Sequence, residues 1–426
     1  MNNKKKKYVN KLVLLYFIIS LVFLAFIGGM IATSNNTYVF KWFYGSFLQV
    51  KNFINNQNIV FETEFKILND FEELILFTQD NSEKIYLLEK NGIKHYWDLS
   101  NISKVITNDT DFISRPYGIH LFDNGDLIVS SDWIDNNTGI SFLAKIDKYS
   151  NIIWLKEYPV HHWFSADENF FYFTDRKLKD YKIVKENYYR NNVNLNYFNC
   201  KKDTINEEPV RIEGIVIADN NSGEILKSID LFKIIIDNED LRDQVIDCID
   251  PFHVNDVRVI KNNFKINNVN ISKGDLIVSM RNMNTIIILD NETDKVKWHV
   301  CCKFFMQHSP RLLKNDKSLI IFDNLGGNTY SRIVQINLLT KNIEGVFFGK
   351  VNNFGIKELF YSDSRGHLDI EANNILVSSS NQNLIFNLFC PDKSVSLNCE
   401  MKELIKANSG ITFSKYYNKK NLNFLN

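Results

Sequence analysis

Two stretches, Asn124-Gly125-Asp126-Leu127-Ile128-Val129-Ser130 and Lys273-Gly274-Asp275-Leu276-Ile277-Val278-Ser279, share a turn followed by the same Gly-Asp-Leu-Ile-Val-Ser strand. Short apolar segments bounded by Asn, Asp or Gly recur on either side of them: Lys84-Ile85-Tyr86-Leu87-Leu88, Gly214-Ile215-Val216-Ile217-Ala218, Ser318-Leu319-Ile320-Ile321-Phe322-Asp323 and Asn374-Ile375-Leu376-Val377-Ser378. Regularly spaced short strands with turn residues between them mark an all-β chain. A second unit repeats in the same order. Leu143-Ala144-Lys145-Ile146-Asp147 leads to Ile152-Ile153-Trp154, and Ile287-Ile288-Leu289-Asp290 leads to Val296-Lys297-Trp298. A strand closing on Asp, a turn, and a strand carrying Trp is the punctuation of successive propeller blades. At about 40–50 residues per blade, the segment 62–426 accommodates a β-propeller of roughly six to eight blades, and six allow for the insertion Lys177–Asn206. The runner-up, a pair of β-sandwiches, would lack the Asp-turn-Trp repeat. Leu231 to Cys248 has apolar spacing that permits a short helix, and Tyr181 to Asn206 reads as a long polar loop.

Composition agrees with a folded β chain. Of 426 residues 45% are hydrophobic and 13% aromatic, including 33 Phe and 18 Tyr, side chains that suit a pleated half-buried surface. Fifty Lys+Arg face 50 Asp+Glu. Without a global basic excess, phosphate neutralisation has no source, and nucleic acid is excluded as a partner.

The amino terminus is organised differently. Residues 1–11 form a basic tail with Lys4 to Lys7, residues 12–34 an apolar run uncharged from Leu12 to Ala32, and residues 35–61 an aromatic linker with amphipathic character. The run has the length a hydrocarbon core requires and exceeds the usual secretory apolar segment, which favours an uncleaved transmembrane helix over a signal sequence. The lysines would stay in the cytoplasm by the positive-inside rule. The expectation is a single-pass membrane protein whose main domain is periplasmic or otherwise extracytoplasmic. Of six cysteines, Cys390 and Cys399 are the pair to test for a disulfide, while the adjacent Cys301 and Cys302 read as small buried hydrophobes. No zinc-ligand spacing is present, and neither metal nor cofactor is expected.

Four of eight histidines fall in polar islands: His161 and His162 in Pro159-Val160-His161-His162-Trp163, His253 in Asp250-Pro251-Phe252-His253-Val254-Asn255-Asp256, and His308 in Gln307-His308-Ser309-Pro310-Arg311. Arg281 follows the strand ending Val278-Ser279-Met280. Propeller strand ends converge on a central channel. Imidazoles with a guanidinium suit an oxyanion such as sulfate, because Arg offers a planar fork of donors while His can donate, accept or attack. Asp323-Asn324 reads as a turn, His120 and His299 as core or rim residues, and His95 and His367 as surface or turn positions.

Taken in order, Asp250 to Asp256, Gly274 to Thr285, Trp298, Gln307-His308, Ile321-Phe322-Asp323-Asn324 and Ser331-Arg332 resemble the bacterial arylsulfate sulfotransferase (arylsulfotransferase) family. The resemblance covers roughly Arg115 to Cys390. It implies a six-bladed propeller that moves a sulfuryl group from a phenolic sulfate ester to a phenol acceptor through a sulfohistidine, without a nucleotide. It further implies His308 as nucleophile, with His253 and Arg281 as catalytic partners, and His161, His162 and Asn255 at the substrate. Trp163 departs from the family, which places an acidic residue after the first His pair. The alternative is a non-catalytic membrane-anchored propeller that binds a partner or glycan. A metal-dependent propeller hydrolase would need a carboxylate-rich centre and ranks last.

Overall fold

A computed structural model describes residues 64–80, 82–107, 116–131, 141–179, 209–245, 249–314, 316–326, 330–351, 357–390 and 399–425. The basic tail, the apolar run and the linker lie outside the described residues, as does the loop read at Tyr181 to Asn206. Among the described residues no helix is long and apolar enough to cross a membrane.

All the strands belong to one compact unit, Phe61–Gly327 with Ser331–Asn426, and six antiparallel sheets form a six-bladed β-propeller. The innermost strands, in chain order, are Pro116–Leu121, Val160–Ala166, Val254–Val259, His308–Leu312, His367–Glu371 and Ile411–Tyr417. We number the blades 1 to 6 in that order. Blades 1, 2 and 4 are each four consecutive strands, and blade 3 is four strands with the hairpin Phe264–Ile266 and Val269–Ile271 inserted after its inner strand. Blade 6 closes the ring: its inner strand Ile411–Tyr417 pairs with Leu74–Gln79, so the two ends of the propeller segment share one sheet. Blade 5 gains a fifth strand in the same way, Phe65–Ile67 against the edge of Glu400–Ala407.

Packing explains why the repeats read as unbroken apolar runs. Leu127–Ser131, Phe142–Ile146, Leu276–Met280, Thr285–Leu289 and Ser318–Asp323 are buried at every position, because each blade is sandwiched between two others and both faces of its middle strands are covered. The outer strand Ile152–Glu157 is fully buried nowhere. Six apolar clusters form the core, and each fills the space between two neighbouring blades. Tryptophans on outer strands tie blades together: Trp97 Nε1 donates to the Gly125 carbonyl (3.0 Å) and Trp298 Nε1 to the Leu338 carbonyl (2.8 Å).

The turn chemistry anticipated from the repeats is present. Asp147 accepts from the Tyr149 and Asn151 amides, and Asp290 from the Glu292 and Thr293 amides. Asp219 and Asn337 do the same in blades 2 and 4. Gly125 and Gly274 adopt φ of 90° and 98°, a region open mainly to glycine. Leu231–Asp237 is a helix, capped by Asp230, which accepts from the Lys233 amide, and Glu239–Arg242 is a second short one. The insertion in blade 2 leaves a ten-residue pairing of Phe170–Lys179 with Val210–Asp219.

Cys390 and Cys399 are disulfide-bonded. Cys301 and Cys302 depart from expectation: Cys302 is exposed and Cys301 half-buried, because they end the outermost strand of blade 3, where no further blade surface covers them. Two histidines are also placed differently. His367 is fully buried on the inner strand of blade 5, and His95 is half-buried with Nε2 bonded to the Lys148 carbonyl (2.9 Å).

Candidate active site

Two kinds of segment meet at one end of the channel: the beginnings of the inner strands and the connections between second and third strands. The first bring His161, His162, His253 and His308. The second bring Arg281, between Leu276–Met280 and Thr285–Leu289, and Asn324, which follows Ser318–Asp323. Residues up to 163 positions apart in blades 2, 3 and 4 therefore share one site.

The inner strands are irregular where the histidines sit. Registers shift between Tyr172 and Thr174, between Val254 and Asp256, and between His308 and Arg311. His162 (φ 55°), His253 (φ 48°) and Ser309 (φ 55°) take left-handed backbone at these points. Such conformations disfavour non-glycine residues and persist only where surrounding packing enforces them, which is common at functional sites. Here they turn consecutive side chains toward the channel.

His308 is 1% exposed. Its Nδ1 lies 2.6 Å from Asn324 Oδ1 and 3.0 Å from the Met306 carbonyl. The Asn324 amide orientation is set, because its Nδ2 donates to the carbonyls of Ser362 (2.7 Å) and Arg365. Two acceptors at Nδ1 require a proton there, which leaves the lone pair on Nε2. Burial first, then the Arg281 charge, push the His308 pKa down to about 3. The imidazole is neutral at physiological pH, with Nε2 unprotonated.

His253 has a matching arrangement. Its Nδ1 is 2.5 Å from Asp250 Oδ2, and the carboxyl is held well below the usual range by the His253 hydrogen bond and charge and by Arg176, against its own burial. An ionised carboxylate accepts, so His253 Nδ1 carries the proton and Nε2 the lone pair. His162 Nε2, 3.1 Å away, then donates to His253 Nε2. Burial lowers the His253 pKa to about 4 despite Asp250. Behind this row, Arg176 makes a double contact with Glu213 Oε1 (3.0 and 2.9 Å), and Glu213 Oε2 accepts from the Val254 amide (2.6 Å). His161 Nε2 is 3.6 Å from Glu213 Oε1. Burial pushes Glu213 up, opposed by Arg176, and it lowers His161 strongly, reinforced by Arg176.

The Arg281 charge acts on His161, His253 and His308 together, lowering all three. The Arg281 backbone is docked at the cluster, its N to the His253 carbonyl at 3.1 Å. Asn255 sits one layer back: fully buried, it donates to the Gln307 carbonyl (2.7 Å) and holds the backbone leading into His308. Trp163, the departure from the family pattern, is fully buried with its ring 5.5 Å from that of His308 and 5.4 Å from that of His367. The indole lies between the histidine cluster and the rest of the channel.

Sequence reasoning passed over Asp250, Glu213, Arg176 and Asn324. Asp250 was within the quoted island, three residues before His253. Asn324 read as a turn because an Asx residue after a strand usually is one. Its neighbour Asp323 does have a structural role, accepting from the Phe305 amide (2.8 Å) and from Arg332 Nε (2.6 Å). The nitrogens of His161, His162 and His253 lie within 4.8 Å of one another, a set that could hold a metal ion. Arg176 and Arg281 beside them oppose a cation and favour an anion.

Residues 213–395 match the family described as Arylsulfotransferase (ASST). No curated protein matches the chain. Among solved structures, it is similar to a protein of unknown function from Bacteroides caccae (11% identity, TM-score 0.47, covering 81% of this chain and 99% of that one). It is also similar to a functionally unknown protein from Desulfotomaculum acetoxidans (9%, 0.40, 80% and 98%) and to AztD from Citrobacter koseri (11%, 0.36, 82% and 72%). Likenesses this distant say nothing about activity. The matched stretch starts at Glu213 and takes in Asp250, His253, Arg281, His308 and Asn324, and over residues 213–395 the chain is similar to the arylsulfotransferase family.

Proposed function

We propose that the propeller transfers a sulfuryl group from an aryl sulfate ester to a phenolic acceptor through a sulfohistidine at His308, without nucleotide. The family supports a sulfotransferase-type enzyme. The observation that carries the finer reading is the His308 tautomer: Nδ1–H is held by Asn324 and Met306, so a neutral Nε2 lone pair is presented beside Arg281.

In the first half-reaction Nε2 attacks sulfur, the N–S bond forms, the S–O bond to the aryl group breaks, and the aryloxide leaves with the electron pair. Asn324 Oδ1 and the Met306 carbonyl stabilise the positive charge that develops on the ring through Nδ1–H, and Arg281 stabilises the sulfuryl oxygens. In the second half the acceptor oxygen attacks sulfur and the N–S electrons return to Nε2. The acceptor proton passes to His253 Nε2, displacing the His162 Nε2–H that rests on that lone pair, and the Asp250 carboxylate stabilises the imidazolium. That proton is then available to the next departing aryloxide. On this reading the apolar run Leu12 to Ala32 anchors the enzyme, with the propeller outside the cytoplasm.

The test is full-length protein in detergent with 4-nitrophenyl sulfate. Acceptor-dependent release of 4-nitrophenol is expected on adding phenol. No release across a panel of aryl sulfates and phenols would end the proposal.

Asp250→Asn tests the proton limb. The second half-reaction is expected to slow about 10²-fold and the first much less, so sulfated enzyme should accumulate during turnover. Equal slowing of both halves would instead indicate a structural role for Asp250.

A further inference from the structure

The channel has a second mouth, where the inner strands end, and a cavity of about 440 Å³ opens there. Trp163 and His367 lie between it and the histidine cluster. Its floor is unusual in charge. Arg258 Nε and Arg311 Nη1 each contact a different oxygen of one buried carboxylate, Asp256, both at 2.7 Å. Both guanidiniums also approach His367 Nε2, at 3.3 and 2.9 Å. A nitrogen that receives two donors is unprotonated, so His367 is neutral and the four-residue floor has a net charge of +1. Burial and the Arg311 charge push Arg258 down to about 10, the effect expected of two cations sharing one counter-charge.

The walls add to this field. Lys261 and Lys415 line the cavity, and among the described residues neither has an ion pair with a carboxylate. The Lys415 ammonium rests over the Tyr417 ring at 5.0 Å, and its charge, after burial, lowers Lys261. Of the three lining carboxylates, Glu371 faces Lys314 at 3.8 Å, Asp369 accepts from the Tyr416 amide while its charge acts on Arg258 and Lys261, and Asp316 is the third. Ile119, Phe164 and Leu312 supply apolar surface. Five lining cations (Arg258, Lys261, Arg311, Lys314 and Lys415) against Asp316, Asp369, Glu371 and the underlying Asp256 leave an excess of positive charge in an apolar-walled cavity of ligand size, the ingredients of a small-molecule anion site.

We propose that this mouth binds a small organic oxyanion, such as an aryl sulfonate, sulfate or carboxylate. Its head group would lie over Arg258 and Arg311 between Lys261 and Lys415, with its apolar body against Ile119 and Phe164. The site is separate from His308 and does not depend on sulfuryl transfer. The ligand supplies negative charge beyond that of Asp256 and Asp369.

The probe is 2-naphthalenesulfonate, whose C–S bond prevents it from serving as a donor, titrated calorimetrically into the full-length protein. Lys261→Glu with Lys415→Glu should weaken binding at this mouth at least about tenfold, and added salt should weaken it in the parent. Lys261→Gln with Lys415→Gln, a milder change on the cavity wall, should give a smaller loss in the same direction. Arg281→Ala, which alters only the other mouth, should leave one binding event intact. Undiminished binding by the charge-reversed pair, or no binding at all in Arg281→Ala, would overturn the proposal. Acceptor-dependent turnover reads the histidine mouth, so its absence would leave the binding result standing.

Discussion

His308→Asn is expected to lose acceptor-dependent turnover by at least about 10³-fold while remaining folded. The asparagine amide can occupy the place of Nδ1–H and still donate to Asn324 Oδ1 and the Met306 carbonyl, which keeps the loop Cys302 to Gln307 tethered. What it lacks is Nε2. Intact-mass measurement after incubation with 4-nitrophenyl sulfate alone should find one added sulfuryl group on the parent and none on the variant, and peptide mapping should place it on the segment bearing His308. Alternate-substrate kinetics in the parent should show the parallel-line pattern of a covalent intermediate. Retained turnover in His308→Asn would eliminate this residue as nucleophile and redirect attention to the His162–His253 pair. An unmodified parent that still turns over would point to direct transfer between donor and acceptor.

Acid should unfold the propeller steeply between about pH 6.5 and pH 4. The pKa values of His161, His253, His308 and His367 are all depressed in the folded chain, chiefly by burial, to about 4 for His253, about 3 for His308, and well below the ordinary value for the other two. The unfolded chain binds protons at these positions near pH 6.5, whereas the folded chain does not. Stability therefore rises with pH through the interval, is complete above it, and is lost as pH falls. At pH 5 each of the four costs on the order of 2 kcal/mol relative to pH 8. Glu213, pushed upward by burial, works in the opposite direction over the same window and offsets part of the loss. A net decline of several kcal/mol is a large share of a domain's usual stability of about 5–15 kcal/mol. Denaturant midpoints measured at pH 7.5 and pH 5 check this. Equal midpoints would mean that the channel histidines can be protonated without disturbing the fold, which would undercut the neutral His308 on which the proposed reaction rests.

Both predictions depend on contacts of different sequence range, and that range governs what could be read in advance. The Asp147 and Asp290 turns each close over a few residues, and the strands after Gly125 and Gly274 carry their own β-branched patterning, so blade punctuation was visible locally. Spacing allowed roughly six to eight blades, and the insertion Lys177–Asn206 pointed to six. The histidine islands were legible as islands, and their order in the chain pointed to the family that residues 213–395 match. Cys301 and Cys302 were misread because an apolar composition does not reveal that an outermost strand lacks a covering blade.

By itself, then, the sequence determined an all-β chain of repeated four-strand units, the residue types available for oxyanion chemistry, and where the turns fall, because each rests on interactions within one hairpin. Only the tertiary structure decided which nitrogen of His308 is free, since Asn324 is 16 residues away in sequence. It also decided that His162 meets His253 across 91 residues, and that His367 joins Arg258 and Arg311 across 109 and 56. Those distances are bridged by closing a ring of blades around an axis. The six inter-blade cores stabilise that closure, and it forces the ends of the inner strands into one channel whatever their separation along the chain.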